Sequence, residues 1–299
     1  LPSIACLFPG QGAQFVGMGA KPIEANPRAR ALFDRAAEVL GYDLLELCLK
    51  GPEGRLNATD VAQPALFVCS LAALEVWRET SPSEYDACSF AAGLSLGEYT
   101  AITMAGGLSF EEGLRVVQVR GRAMQAAAEA NPSGMTSVLI VPREDVQQLC
   151  DECRLPGETL QIANLLCPGN TVVAGHKPSL AKLAERTDLK IVQLAVAGAF
   201  HTSLMASAVE ELRAALSSAK LERPRIPIVS NVDAAPHDDP EEIRDLLIRQ
   251  VESPVRWEDS MRKLVDLGVE KMVEVGPGRV LAGLMKRIDR KFPFENVEG

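Results

Sequence analysis

The pentapeptide Gly93-Leu94-Ser95-Leu96-Gly97 constrains this chain more than any other feature. It sets a serine between two glycines, after a short apolar run (Ala87 to Ala92) and before a helix-like one (Glu98 to Ala105). Strand, sharp turn and helix follow one another, and a side chain on either flank of such a turn would meet backbone. The pattern fits the nucleophile elbow of serine acyl-transfer and hydrolytic enzymes, which belongs to an α/β fold. Ser95 then stands at a helix N-terminus. Unpaired N–H groups there favour the negative charge that an acyl-transfer intermediate carries on its carbonyl oxygen. With 23 glycines in the chain the pattern also arises by chance, so the serine needs partners elsewhere.

The rest of the chain keeps an α/β rhythm with one interruption. Residues 1 to about 127 alternate the strand-like Ile4 to Phe8 with helical runs at Ala29 to Leu40, Ala65 to Glu79 and Phe110 to Ala128. The rhythm resumes from about residue 200. Between them come a strand (Met135 to Val141), a helix (Arg143 to Glu152), two strands (Thr159 to Asn164, Thr171 to Ala174), a helix (Pro178 to Arg186) and a strand (Leu189 to Val196). That βαββαβ order is a split ferredoxin-like unit. Pro and Gly punctuate its ends, at Asn131-Pro132-Ser133-Gly134 and Val196-Ala197-Gly198. The expectation is an α/β chain with residues 1–128 and 199–299 as a larger catalytic lobe and 129–198 as an inserted smaller one. A site at their junction would be a cleft.

Composition removes several classes of function. A chain of 299 residues, 47% hydrophobic and 24% charged, can bury a sizeable core. Its formal charge of −9 lacks the basic footprint that neutralises phosphates, so no nucleic-acid partner is expected. No uninterrupted apolar stretch reaches the roughly 18 to 20 residues of a membrane span, and no charged leader precedes an apolar signal core. No membrane partner is expected. A cytoplasmic location is expected; because the first residue is Leu1 rather than Met, an organelle matrix, after removal of a targeting peptide, is the alternative. The seven cysteines, an odd number among apolar positions, suit reduced buried thiols. Cys150-Asp151-Glu152-Cys153 has no second cysteine pair or histidine pair beside it, so no metal is expected.

Three histidines make the search for a base short. His176 lies in a surface turn next to Lys177, and His237 in the exposed-loop sequence Ala235 to Pro240. His201 follows the apolar Val196 to Phe200 at the lobe boundary and has no charged neighbour from Ile191 to Val209. It reads either as a satisfied core residue or as the base that Ser95 needs. On the helical run Phe110 to Ala128, Glu111, Arg115, Gln118, Arg122 and Gln125 share a polar face, whereas Arg120 falls on the apolar one with Val116, Val117 and Met124. An inward guanidinium stays charged and must meet an anion, either a structural Asp/Glu or a substrate carboxylate. The loop Phe8-Pro9-Gly10-Gln11-Gly12-Ala13-Gln14 satisfies neither nucleotide-binding glycine pattern, so NAD and ATP find no support. Its backbone amides suit an oxyanion hole.

Taken in order, Phe8-Pro9-Gly10-Gln11-Gly12, Gly93-Leu94-Ser95-Leu96-Gly97-Glu98-Tyr99, Val119-Arg120-Gly121, Gly198-Ala199-Phe200-His201 and Glu274-Val275-Gly276-Pro277-Gly278 resemble the malonyl-CoA:acyl carrier protein transacylase family, acyltransferases of fatty acid and polyketide synthesis. The resemblance covers nearly the whole chain. It implies an α/β-hydrolase-like larger lobe with an inserted ferredoxin-like lobe. It also implies Ser95 as acyl-accepting nucleophile, His201 as its base, the amides of Gln11 and Leu96 as oxyanion hole, and Arg120 as the bidentate partner of a malonyl carboxylate. The histidine is oriented in this family by a backbone carbonyl, which maps to Gln250, with Asn231 assigned beside it. Gln63 and Asn164 are assigned to the substrate pocket, and Phe200 to the space that a C2 methyl of methylmalonyl would occupy.

Leu94 departs from the pattern, since many bacterial members carry His before the nucleophile. The resemblance implies ping-pong transfer from malonyl-CoA to the pantetheine thiol of acyl carrier protein, with no metal or redox cofactor, by a monomer. Acyl carrier proteins are acidic, and Lys286-Arg287-Ile288-Asp289-Arg290-Lys291 or Lys182, Arg186 and Lys190 would offer a basic patch. A serine hydrolase, a non-enzymatic carrier-protein binder and a discrete polyketide acyltransferase are the competing readings.

Overall fold

A computed structural model describes residues 2–298; Leu1 and Gly299, the outermost residues of the expected larger lobe, lie outside the described residues. In chain order the strands are β1 (Ile4–Phe8), β2 (Cys88–Gly93), β3 (Ser133–Leu139), β4 (Leu160–Cys167), β5 (Asn170–His176), β6 (Lys190–Gln193), β7 (Ile228–Val229), β8 (Pro236–His237), β9 (Lys271–Val275) and β10 (Phe294–Val297). They form two sheets. The larger has the order β10-β9-β1-β2-β7-β8, parallel throughout except for the β7–β8 pair.

β1 is buried at every position because both faces of this sheet are covered. Ile4, Cys6 and Phe8 join the core beneath the helices Thr59–Thr80, Gly97–Met104 and Phe110–Ala130. Ala5 and Leu7 point the other way, against Trp257, Met261 and Leu281. The helix Thr59–Thr80 is long and apolar enough to cross a membrane by length and composition, yet most of it is buried within the protein. It is a core helix. Ser109 caps Phe110–Ala130 by accepting from the Glu112 amide, and its hydroxyl donates to the Glu112 carboxylate.

The smaller sheet has the order β4-β5-β3-β6 with every neighbouring pair antiparallel. All four strands fall within the interval read as the insertion. The helices Arg143–Cys153 and Lys177–Ala184 pack on it around a separate core of Val138, Val146, Leu149, Leu160, Val173 and Leu183. β6 ends at Gln193, short of the expected Val196. It is an edge strand, and Leu194 and Val196 beyond it turn into the pocket that holds Ser95. His237 sits in the short strand β8 rather than an exposed loop, its ring between the carboxylates of Asp233 and Glu242. His176 ends β5 and its Nδ1 accepts from the Thr159 amide. The lobes are tied where β4 meets the larger one: Leu165 N–H donates to Val255 O and Val255 N–H to Ala163 O, both at 2.8 Å. Arg143 adds a two-pronged pair with Asp259.

Candidate active site

β2 stops at Gly93, the helix Gly97–Met104 starts at once, and Ser95 is forced into the left-handed region with φ 52°. A non-glycine residue there costs about 1 kcal/mol or more and persists only where its surroundings hold it. The missing side chains of the flanks make the turn possible. A Cβ on Gly93 would lie 1.8 Å from the Gly97 carbonyl carbon, and one on Gly97 would lie 2.2 Å from Phe8 O. Asn231 then clamps the turn: its Oδ1 accepts from the Ser95 amide at 2.6 Å and its Nδ2 donates to Gly93 O at 2.8 Å. This corrects the sequence-based assignment of Asn231 to the histidine. β7 pairs directly with β2, so Asn231, the second residue past β7, reaches the elbow instead.

His201 is brought to that serine from the lobe junction and is 4% exposed. Its Nε2 lies 2.9 Å from Ser95 Oγ and its Nδ1 lies 2.8 Å from Gln250 O. A backbone carbonyl only accepts, so Nδ1 carries the proton and the Nε2 lone pair faces the serine hydroxyl. Burial, and then the Arg120 charge, push the imidazole down from 6.5 to about 4, so it stays neutral and basic in form. The imidazole is thus both buried, as a core residue would be, and placed where a base for Ser95 would stand.

Arg120 is 1% exposed and comes from the middle of the helix Phe110–Ala130. Its Nη1 donates to Gln63 Oε1 at 2.7 Å, and its Nη2 to Ser95 Oγ and to Gln250 Oε1, both at 2.9 Å. The guanidinium also lies over the Tyr99 ring, 5.2 Å from its centroid. Among the described residues no Asp or Glu touches it. Every acceptor in contact is neutral, so the structural Asp or Glu weighed from the sequence does not touch the guanidinium.

The parallel sheet sets β1 beside β2, and their carboxyl ends bring the loops of Gln11 and Leu96 together at one pocket of about 90 Å³. Ser95, Arg120, His201, Gln63, Asn164 and Phe200 line the same pocket. Among the described residues the backbone amides of Gln11 and Leu96 have no acceptor, as an oxyanion hole requires. Gln250 and Asn231 support the pocket from behind, the former through both its carbonyl and its side chain. A wider cleft of about 360 Å³ runs outward from His201 between β4 and the loop after the helix Pro240–Gln250, past Arg154 and Arg256. Sequence reading missed these two arginines, and it missed Glu98, a carboxylate buried behind the elbow. A lone acid in the apolar run after the serine was the available sign. Of the two basic clusters, Arg186 is paired with Glu152 and Asp188. Among the described residues Lys286, Arg287, Arg290 and Lys291 have no carboxylate partner. All seven cysteines are buried free thiols.

Comparison with known proteins agrees with this geometry. The acyl transferase domain family matches residues 6–292. The chain is 42% identical over 295 residues to the human mitochondrial malonyl-CoA:acyl carrier protein transacylase, covering 94% of this chain and 75% of that protein. It is 39% identical over 295 residues to the Bacillus subtilis malonyl-CoA:acyl carrier protein transacylase, covering 97% and 92%. The crystal structure of the corresponding transacylase from Xanthomonas oryzae pv. oryzae superposes with a TM-score of 0.94 at 37% identity, over 100% of this chain and 95% of that one.

Proposed function

This chain belongs to the acyl transferase domain family, and from that premise we propose that it moves malonyl from malonyl-CoA to the pantetheine thiol of acyl carrier protein through a malonyl-Ser95 ester. One observation carries the reading. A serine hydroxyl lies at 2.9 Å both from a neutral imidazole nitrogen and from a buried arginine whose protein contacts are all uncharged. Ser95 Oγ attacks the thioester carbonyl as its proton passes to His201 Nε2. The oxyanion is stabilised by the amides of Gln11 and Leu96. Collapse breaks the C–S bond, and the CoA sulfur leaves with the proton from His201. The carrier thiol then gives its proton to His201 and attacks the ester, and Ser95 Oγ departs and recovers the proton.

Arg120 grips the acyl carboxylate through both halves of the cycle, and the outer cleft past Arg154 and Arg256 admits the arm of each thioester in turn. Ser95, His201, Arg120 and the two amides supply every role in the transfer. The proposal therefore calls for no metal or cofactor, CoA and phosphopantetheine arriving as parts of the substrates. Buried free thiols accord with a reducing compartment, cytoplasm or organelle matrix. An ordinary esterase would have no use for an uncompensated internal arginine. Arg120→Ala should lower Ser95 acylation by malonyl-CoA about a hundredfold or more relative to acylation by acetyl-CoA. Equal losses with both donors would contradict the role given to Arg120.

A further inference from the structure

Glu98 touches none of the reacting atoms, yet the supports of all three reacting groups converge on it. It is the second residue of the helix Gly97–Met104 and is 2% exposed. Its Oε2 accepts from the Asn231 amide at 3.0 Å and from Gln250 Nε2 at 2.7 Å. Asn231 holds the Ser95 amide. Gln250 donates to Ser95 O at 3.1 Å, accepts from Arg120 Nη2, and orients His201 with its backbone carbonyl. One carboxylate oxygen thus joins the segment after β7 to the end of the helix Pro240–Gln250, two parts of the larger lobe that otherwise approach the site separately.

The Gln250 side chain has one accepting and one donating end. Burial raises the Glu98 carboxyl to about 7, but its Oε2 already takes the Asn231 N–H and so stands as an acceptor. Arg120 can only donate, so the amide is held with Oε1 toward Arg120 and Nε2 toward Glu98 Oε2. A glutamate in direct contact with Arg120 would occupy the edge of the guanidinium that grips a carboxylate. The interposed amide passes on the orienting effect and, among the described residues, leaves the guanidinium with no carboxylate in contact and its Nε without a partner. We propose that Glu98 is a positioning residue that, through Gln250, fixes Arg120 in the orientation that receives an acyl carboxylate, and so sets the preference for carboxylated over neutral acyl donors. The proposal rests on the carboxylate-binding reading of Arg120 above.

Glu98→Gln tests it with almost no change of shape, because a neutral carbonyl oxygen then replaces the carboxylate oxygen that accepts from Gln250 Nε2 and the Asn231 amide, and the charge that holds Gln250 is lost. The readout is the rate of Ser95 acylation by malonyl-CoA and by acetyl-CoA at limiting concentrations, scaled to the CoA released in one turnover. The thermal midpoint is recorded alongside. The malonyl-to-acetyl ratio should fall about tenfold or more, the scale of a hydrogen bond to a charged group. Gln250→Leu breaks the same relay at its other end while keeping the carbonyl that orients His201, and it should lower the ratio similarly; it carries the test if Glu98→Gln does not fold. In an Arg120→Ala background neither substitution should change the ratio further. An unchanged ratio with only a lower thermal midpoint, or the same fold-loss with and without Arg120, would overturn the proposal. If Arg120→Ala alone leaves the ratio intact, the fault lies in the reading of Arg120 itself, and the two failures are distinguishable.

Discussion

Arg120 acts on Ser95 and His201 in opposite directions. Its Nη2 donates to Ser95 Oγ, which favours the developing alkoxide, while its charge adds to burial in holding His201 down near 4. The neutral imidazole is the competent base, so the acid limb of acylation at limiting malonyl-CoA should lie well below the ordinary histidine value of about 6.5. An acyl carboxylate paired with Arg120 cancels one of the two depressing causes. At saturating malonyl-CoA the acid limb should therefore move to higher pH, whereas with acetyl-CoA the limiting and saturating limbs should coincide. A pH series of single-turnover acylation with both donors checks this, and a malonyl limb that moves to lower pH on saturation would contradict it. Ser95, His201 and Arg120 were legible in the sequence because each stands in a short motif or breaks a local pattern. Glu98 stood out only as a lone acid in an apolar run, and what it holds was not legible, because its partners lie 133 and 152 positions further along the chain.

Among elements, the elbow is the most demanding junction. The helix Gly97–Met104 can begin against β1 only because Gly97 has no side chain facing Phe8 O. Gly97→Ala should lower the thermal midpoint by about 10 °C and abolish Ser95 acylation, as measured by a melting scan and by CoA release. Near-parental values for both would mean that the turn relaxes more freely than its contacts allow. The strand and helix order of the insertion could be read directly, since each element there carries its own alternation and turn residues. The role of Asn231 could not. It depends on β7, only two residues long, pairing with β2, and no local pattern announces so short a strand. The length of β6 was overestimated for a related reason: Leu194 and Val196 continue the apolar alternation but serve the pocket instead of the sheet.

At the scale of the whole molecule, the parallel sheet and the smaller antiparallel sheet meet at one seam. The larger lobe supplies Ser95, Arg120 and the amides of Gln11 and Leu96, and the smaller adds Asn164, Leu194 and Val196 to the pocket wall. His201 sits just past the boundary, where the chain re-enters the larger lobe. The wide cleft from His201 to Arg154 and Arg256 is what a ping-pong enzyme needs, since two bulky thioesters must reach one serine at different times. This seam was foreseen as a cleft, but its two arginines come from different lobes and share no sequence pattern. The proposed cycle turns on an acyl enzyme on Ser95 that waits for a carrier thiol. Intact mass of the protein incubated with malonyl-CoA alone, beside Ser95→Ala, tests it most directly. A single malonyl adduct on the parent only, discharged by pantetheinylated acyl carrier protein, is the expected result. An adduct that survives in Ser95→Ala, or steady CoA release with no adduct on the parent, would contradict it.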